Sequence, residues 1–130
     1  MADRIVIPVD GVVDDDRHRV ELATRVLEAG GTTVVTLRSP LAEVHWRAPR
    51  VPLVGIIDDW GAMRDNPIVN YKAWALYGGA PLFGTMVVAS DDGKPLPHEF
   101  VEMVMAPIEE WVPAEVLARM RAIIEGMPTP

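Results

Sequence analysis

The stretch Val-Pro-Leu-Val-Gly-Ile-Ile-Asp-Asp-Trp-Gly, residues 51–61, decides how this chain is read. Leu53, Val54, Ile56 and Ile57 are apolar on both parities. A strand with one wet face alternates apolar and polar residues. An unbroken run predicts a strand covered on both faces, the pattern of a central parallel strand. The run stops at Asp58 and Asp59, followed by Trp60 and Gly61. In an open α/β sheet the ligand pocket lies just beyond the carboxyl ends of the strands. Asp58 and Asp59 are therefore the first candidates for chemistry, set against the plainer reading that one caps the next segment and the other is solvated.

Upstream, Ile5-Val6-Ile7-Pro8-Val9 is an apolar run ending at Asp10-Gly11. Pro8 lacks a backbone donor, so this strand either lies at an edge or ends there. Residues 17–29 predict a helix. Asp16 is a natural N-cap, and Val20, Ala23 and Leu27 follow helical spacing, widened by Leu22 and Val26. Gly30-Gly31 supplies the stop. Thr32 to Leu37 is almost wholly β-branched and reads as a second strand. Ser39-Pro40 predicts a short helix over 41–46.

Downstream, Pro67 opens a helix to about residue 77, capped by Asp65 or Asn66, with Ile68, Val69, Ala73 and Leu76 facing the core. Residues 81–89 read as a fourth strand, closed by the turn Ser90-Asp91-Asp92-Gly93. Residues 94–105 are ambiguous: a short helix reaching Phe100, or an edge strand in which Val101, Met103 and Met105 alternate. Pro113 opens a last helix, in which Val116, Leu117, Met120, Ile123 and Ile124 keep helical spacing until Gly126 and Pro128. Strands alternating with helices predict a three-layer α/β/α sandwich with a mainly parallel sheet of about five strands, flavodoxin-like or Rossmann-like.

At 130 residues and 49% hydrophobic content the chain suits one α/β domain with a packed core. A net charge of −7 argues against nucleic-acid binding and gives no polybasic membrane anchor. The absence of cysteine excludes disulfides and thiolate chemistry. No apolar run reaches the ~20 residues of a membrane helix, and the amino terminus has no signal-peptide layout. The expected compartment is the cytoplasm.

Val12-Val13-Asp14-Asp15-Asp16, followed by Val20, Leu27-Glu28-Ala29-Gly30 and Val34-Val35-Thr36, resembles the opening of response-regulator receiver domains. Ile56-Ile57-Asp58 is similar to the strand that carries their phospho-accepting aspartate. The separation of Asp14 from Asp58 is similar to the family's spacing. Met105-Ala106-Pro107-Ile108 before an amphipathic helix resembles a receiver's end. The resemblance implies a degenerate receiver-like signalling module, with Asp58 as phosphoacceptor and Ser90 as the nearby hydroxyl. The chain departs from the family at Ala106, where a receiver carries its lysine, and at Pro8 and Gly11, where a receiver strand is uninterrupted.

Acids gather at the predicted strand ends: Asp10, Asp14 to Asp16, Asp58-Asp59 and Asp91-Asp92. Converging carboxylates hold Mg²⁺, which takes a few oxygen ligands and keeps waters, and Asp14, Asp15 and Asp58 are the candidate set. They also shift one another's pKa for acid–base work, for which Asp10, Asp58 and Asp59 are the candidates. The plain alternative is that acids are common at helix starts and turns. Trp46 and Arg47, beside His45, could grip a ring or a small anionic ligand. Tyr71 and Trp74, with Trp60, form either packing or an exposed aromatic patch of the kind enriched in interfaces. The patch predicts a homodimer through the 67–77 helix.

Three functions compete on these residues. The first is a receiver-like regulatory module acting through an acidic strand-end pocket and a protein partner. The second is a small hydrolase or transferase acting on a nucleotide or sugar through strand-end carboxylates. The third is a non-catalytic assembly subunit.

Overall fold

The computed structural model describes residues 3–38 and 53–127. In chain order these form β1 (Arg4–Ile7), α1 (Arg17–Gly30), β2 (Thr32–Thr36), β3 (Leu53–Asp58), α2 (Tyr71–Tyr77), β4 (Met86–Ser90), α3 (His98–Met105) and α4 (Ala114–Glu125). Short 3-10 turns lie at Gly61–Met63 and Ile108–Glu110. The predicted helix over 41–46 lies outside the described residues.

The four strands form one sheet in the order β1-β4-β3-β2, and every neighbouring pair is antiparallel. This overturns the expected parallel five-stranded, flavodoxin-like or Rossmann-like sheet. The reason lies in the connections. A parallel crossover must carry the chain back to the far end of the sheet before the next strand starts. Here each long connection re-enters at the end it left. After β1 the chain doubles back: Val6 and Asp14 exchange both backbone hydrogen bonds, at 2.9 and 3.0 Å. That extended segment makes the return journey, so α1 runs forward again and β2 starts level with the end of β1. After β3 the excursion folds on itself through a bridge between Val69 and Phe83. The Asn70 amide donates to the Leu82 carbonyl, and the Gly84 amide to the Ile68 carbonyl. The chain therefore re-enters at Met86, opposite Ile57.

Burial on both sides of the central strands is nonetheless real. On one face α1 places Val20 and Leu27 against Val6 and Val87. On the other, Ile5, Ile7, Leu53, Met86 and Val88 pack with Leu76 of α2 and Phe100 and Val104 of α3. All five residues of β4 are buried. Apolar runs on both parities report helices on both faces, whatever the strand direction.

The local reading of α1 holds. The Asp16 side chain accepts from the Arg19 amide, and Gly31, at φ 92°, ends the helix. The other helices differ from expectation. The helix predicted from Pro67 starts at Tyr71, because the Asn70 side chain accepts from the Ala73 amide. The expected fourth strand starts only at Met86, since residues 81–85 close the excursion. Residues 98–105, open between helix and edge strand, form α3. No helix among the described residues is long and apolar enough to cross a membrane.

Candidate functional site

The strand-end acids do not converge. Asp14 lies on the outer side of β1, and Asp58 ends β3. The Asp14 segment, β1, β4 and β3 lie side by side, so three strand spacings, about 14 Å of backbone, separate the two. Each carboxylate has its own arginine. Arg19 donates to Asp14 at 2.9 Å. Arg64 grips Asp58 with a fork, Nε at 2.9 Å and Nη2 at 3.0 Å, while Nη2 also reaches the Gly30 carbonyl at the end of α1. The Asp16 backbone amide and Arg19 hold Asp14 below the usual carboxylate range. Arg64, helped by the Trp60 amide, does the same for Asp58. A carboxylate held ionised in this way is a clamp and a weak proton acceptor.

The remaining acids are also engaged locally. Asp59 accepts a hydrogen bond from the Thr33 hydroxyl, and Asp10 accepts from the Val12 amide in a tight turn. Asp15 lines a cavity at the β1 edge, away from Asp58. Among the described residues no group of three His or acidic side chains is placed to hold a metal ion. Ser90 is buried at the end of β4, paired across the sheet with Leu53. Trp46 and Arg47 lie outside the described residues.

The expected aromatic patch divides. Trp74 is 6% exposed and packs with Val112, Leu117 and Met120, its indole N–H donating to the Gly79 carbonyl at 2.9 Å. Tyr71 stacks against it with ring centroids 6.2 Å apart. Residues 72–76 of α2 are buried, and Trp74 and Tyr71 pack with Leu117 and Met120 of α4 in their own chain. Trp60 stays exposed, its indole lying against Gly31.

Lys72 was not singled out by the sequence reading. It is buried, and its ammonium donates to the Val104 carbonyl near the end of α3 at 2.7 Å. Burial pulls its pKa down, opposed by Glu109. A cation at a helix C-terminus satisfies carbonyls that lack intrahelical partners. The available signal was its place four residues before Leu76, on the core side of the helix.

A cavity of about 870 Å³ lies between α1 and α3 at the β1 edge. Its charged lining is mixed: Arg4, Arg17 and Arg25 face Asp3, Asp15, Glu21 and Glu102. Three cations against four acids give no net attraction for an anion.

The opposite edge has a different character. Leu37 donates to the Leu53 carbonyl and Asp59 to the Gly31 carbonyl. The odd-numbered residues of the β2 stretch thus face β3. Thr32, Val34 and Thr36 turn their N–H and C=O groups to the outer side, where no strand lies among the described residues. All three side chains are exposed, Val34 at 61%. Helix α1 covers β1, β4 and β3 but stops short of β2. At 100° per residue, Val26 lies on the flank of α1 away from the cavity and Leu22 on the helix's outer side, and they are 67% and 56% exposed. The sequence signal was present in Thr-Thr-Val-Val-Thr, a strand without a charge, proline or glycine.

No protein-family model, curated protein or solved structure matches the chain.

Proposed function

We propose that the chain is a non-catalytic assembly subunit that associates through the face built from the outer edge of β2 and the exposed flank of α1. One observation carries this reading: β2 presents three residues with outward backbone groups and an exposed valine, with no edge-protecting device in the strand. Natural sheet edges are ordinarily blunted by lysine, proline, a bulge or a covering element, because a bare edge templates pairing. The exposed Leu22, Val26 and Trp60 extend the same side of the molecule with apolar surface, the kind of patch that marks interaction sites. Of the acids that would serve catalysis, Asp58 is clamped by Arg64, and Asp10 and Asp59 each take a local hydrogen bond, which favours binding over proton transfer as the work of this domain.

Hydrogen exchange on the purified chain at about 5 and about 200 μM tests the reading. Protection of residues 22–36 that grows with concentration supports it. Exchange unchanged over the whole chain, with a monomeric mass throughout, overturns it.

A further inference from the structure

Resting on the assembly reading, we infer that the partner on β2 is a second copy of this chain, paired antiparallel about a two-fold axis through Val34. The two four-stranded sheets then join into one continuous sheet.

The outward residues of β2 are Thr32, Val34 and Thr36, which read the same in both directions. An isologous contact needs that property, because each copy presents the same patch to the other. With the axis at Val34, Thr32 faces Thr36 of the second copy, Val34 faces Val34, and Thr36 faces Thr32. In an antiparallel ladder each such pair exchanges both backbone hydrogen bonds, so every outward N–H and C=O of β2 gains a partner. Cross-strand Thr–Thr and β-branched pairs are among the favourable ones. Any other register leaves at least one of these residues without its partner.

Each chain carries −7, so self-pairing is tolerated best where the contact sets no like charges opposite one another. Thr32–Thr36 contains no charge. Antiparallel pairing also brings exposed Arg38 of each copy to the end of the other where Asp58 and Asp59 lie. Because both β2 strands share one continuous sheet, α1 of each copy sits on the same face. The Val26 flank of one helix then turns toward the same flank of the other.

The chain has no cysteine, so Val34→Cys places a single thiol on the axis. Facing Cβ atoms stand roughly 5 Å apart in such a pair, within reach of a short bis-maleimide. The expected product is a covalent species of twice 14.3 kDa. Val12→Cys, 70% exposed near the other edge, gives at least tenfold less. Light scattering of the unmodified chain at about 100 μM is expected to show the doubled mass. Val34→Lys, which leaves circular dichroism unchanged, is expected to weaken dimerisation at least tenfold. A dimer that survives Val34→Lys and fails to cross-link through Val34→Cys overturns edge pairing while leaving assembly through α1 intact. A monomer at 100 μM whose Thr32, Val34 and Thr36 amides are already protected shows the edge covered by the chain's own residues, and overturns both.

Discussion

Strands β1 and β2 both end the sheet, yet their outer sides are finished differently. Along β1 the chain returns on itself, and the Val6–Asp14 exchange uses the outward backbone groups. Along β2 the outward groups of Thr32, Val34 and Thr36 meet no described residue. The first edge is closed by local chain reversal, which Pro8 and Gly11, at φ 79°, allow. The second is neutral, β-branched and symmetric in sequence. One edge is thereby committed to the fold, and the other meets no strand among the described residues. A substitution near β1 should show in monomer stability, whereas one on β2 should show in mass and leave stability nearly untouched.

The largest effect is expected at Asn70, beside the closed edge. It is 1% exposed, and its Nδ2 donates to the Ile7 carbonyl at 2.8 Å and the Gly84 carbonyl at 2.9 Å. Its Oδ1 caps α2 by accepting from Ala73. Asn70→Ala leaves one buried carbonyl, one part-buried carbonyl and one amide without this partner, and a loss of about 3 kcal/mol in urea unfolding is the expected outcome. An unchanged midpoint would show that the end of β1 is held by other contacts.

Asp58 stands at the β2 end of the molecule, where its fork to Arg64 ties β3 to the last carbonyl of α1. Part of the pair is solvated, so Asp58→Asn should cost only about 1 kcal/mol. Its folded pKa lies below 3.8, so the unfolded state binds the proton more tightly. The stabilisation is present above about pH 4 and is lost as pH falls through the lower folded value. Acid titration of wild type against Asp58→Asn should show the two stabilities converging below pH 4. A constant gap would remove the ion pair as the cause.

Lys72 has the opposite sign. Its folded pKa lies below 10.5, so the unfolded chain holds the proton over the window between the two values. Stability should rise as pH climbs from the folded value toward 10.5. Lys72→Met should flatten that rise, as read by urea unfolding at pH 8 and 10. The same slope in both proteins would assign it to other groups.

The smallest effect is expected at the β2 edge. Val34→Lys adds a solvated side chain at an already exposed position, and at submicromolar concentration it should change unfolding by no more than about 0.5 kcal/mol. A larger loss would mean that Val34 already supports its own chain.

Helix α1 shows what was legible locally: Asp16, the apolar spacing of Val20 and Leu27, and Gly30-Gly31 mark its limits, and the structure keeps them. The double-sided burial of the central strands was legible too, from Leu53 to Ile57. Strand direction was not, because two-sided burial reports the number of layers and carries no sign. The convergence of Asp14 with Asp58 failed because the chain reverses after β1: Asp14 lies on the returning segment outside β1, three strand spacings from β3. The pairings of Arg19 with Asp14 and Arg64 with Asp58 leave no mark in the sequence, because the partner of an ion pair depends on where each strand ends.

Taken alone, the sequence determined the local signals: which segments are apolar, where helices cap and stop, and that β2 is neutral and reads the same both ways at its outward positions. Those properties arise from residues within a turn or a pleat of one another. Only the tertiary structure decided that the sheet is antiparallel, that Trp74 is internal and that the outer side of β2 pairs with no strand among the described residues. Each of these depends on contacts distant in sequence, chiefly the Val6–Asp14 and Val69–Phe83 bridges, whose backbone hydrogen bonds form between groups every residue carries and therefore leave no mark in side-chain pattern.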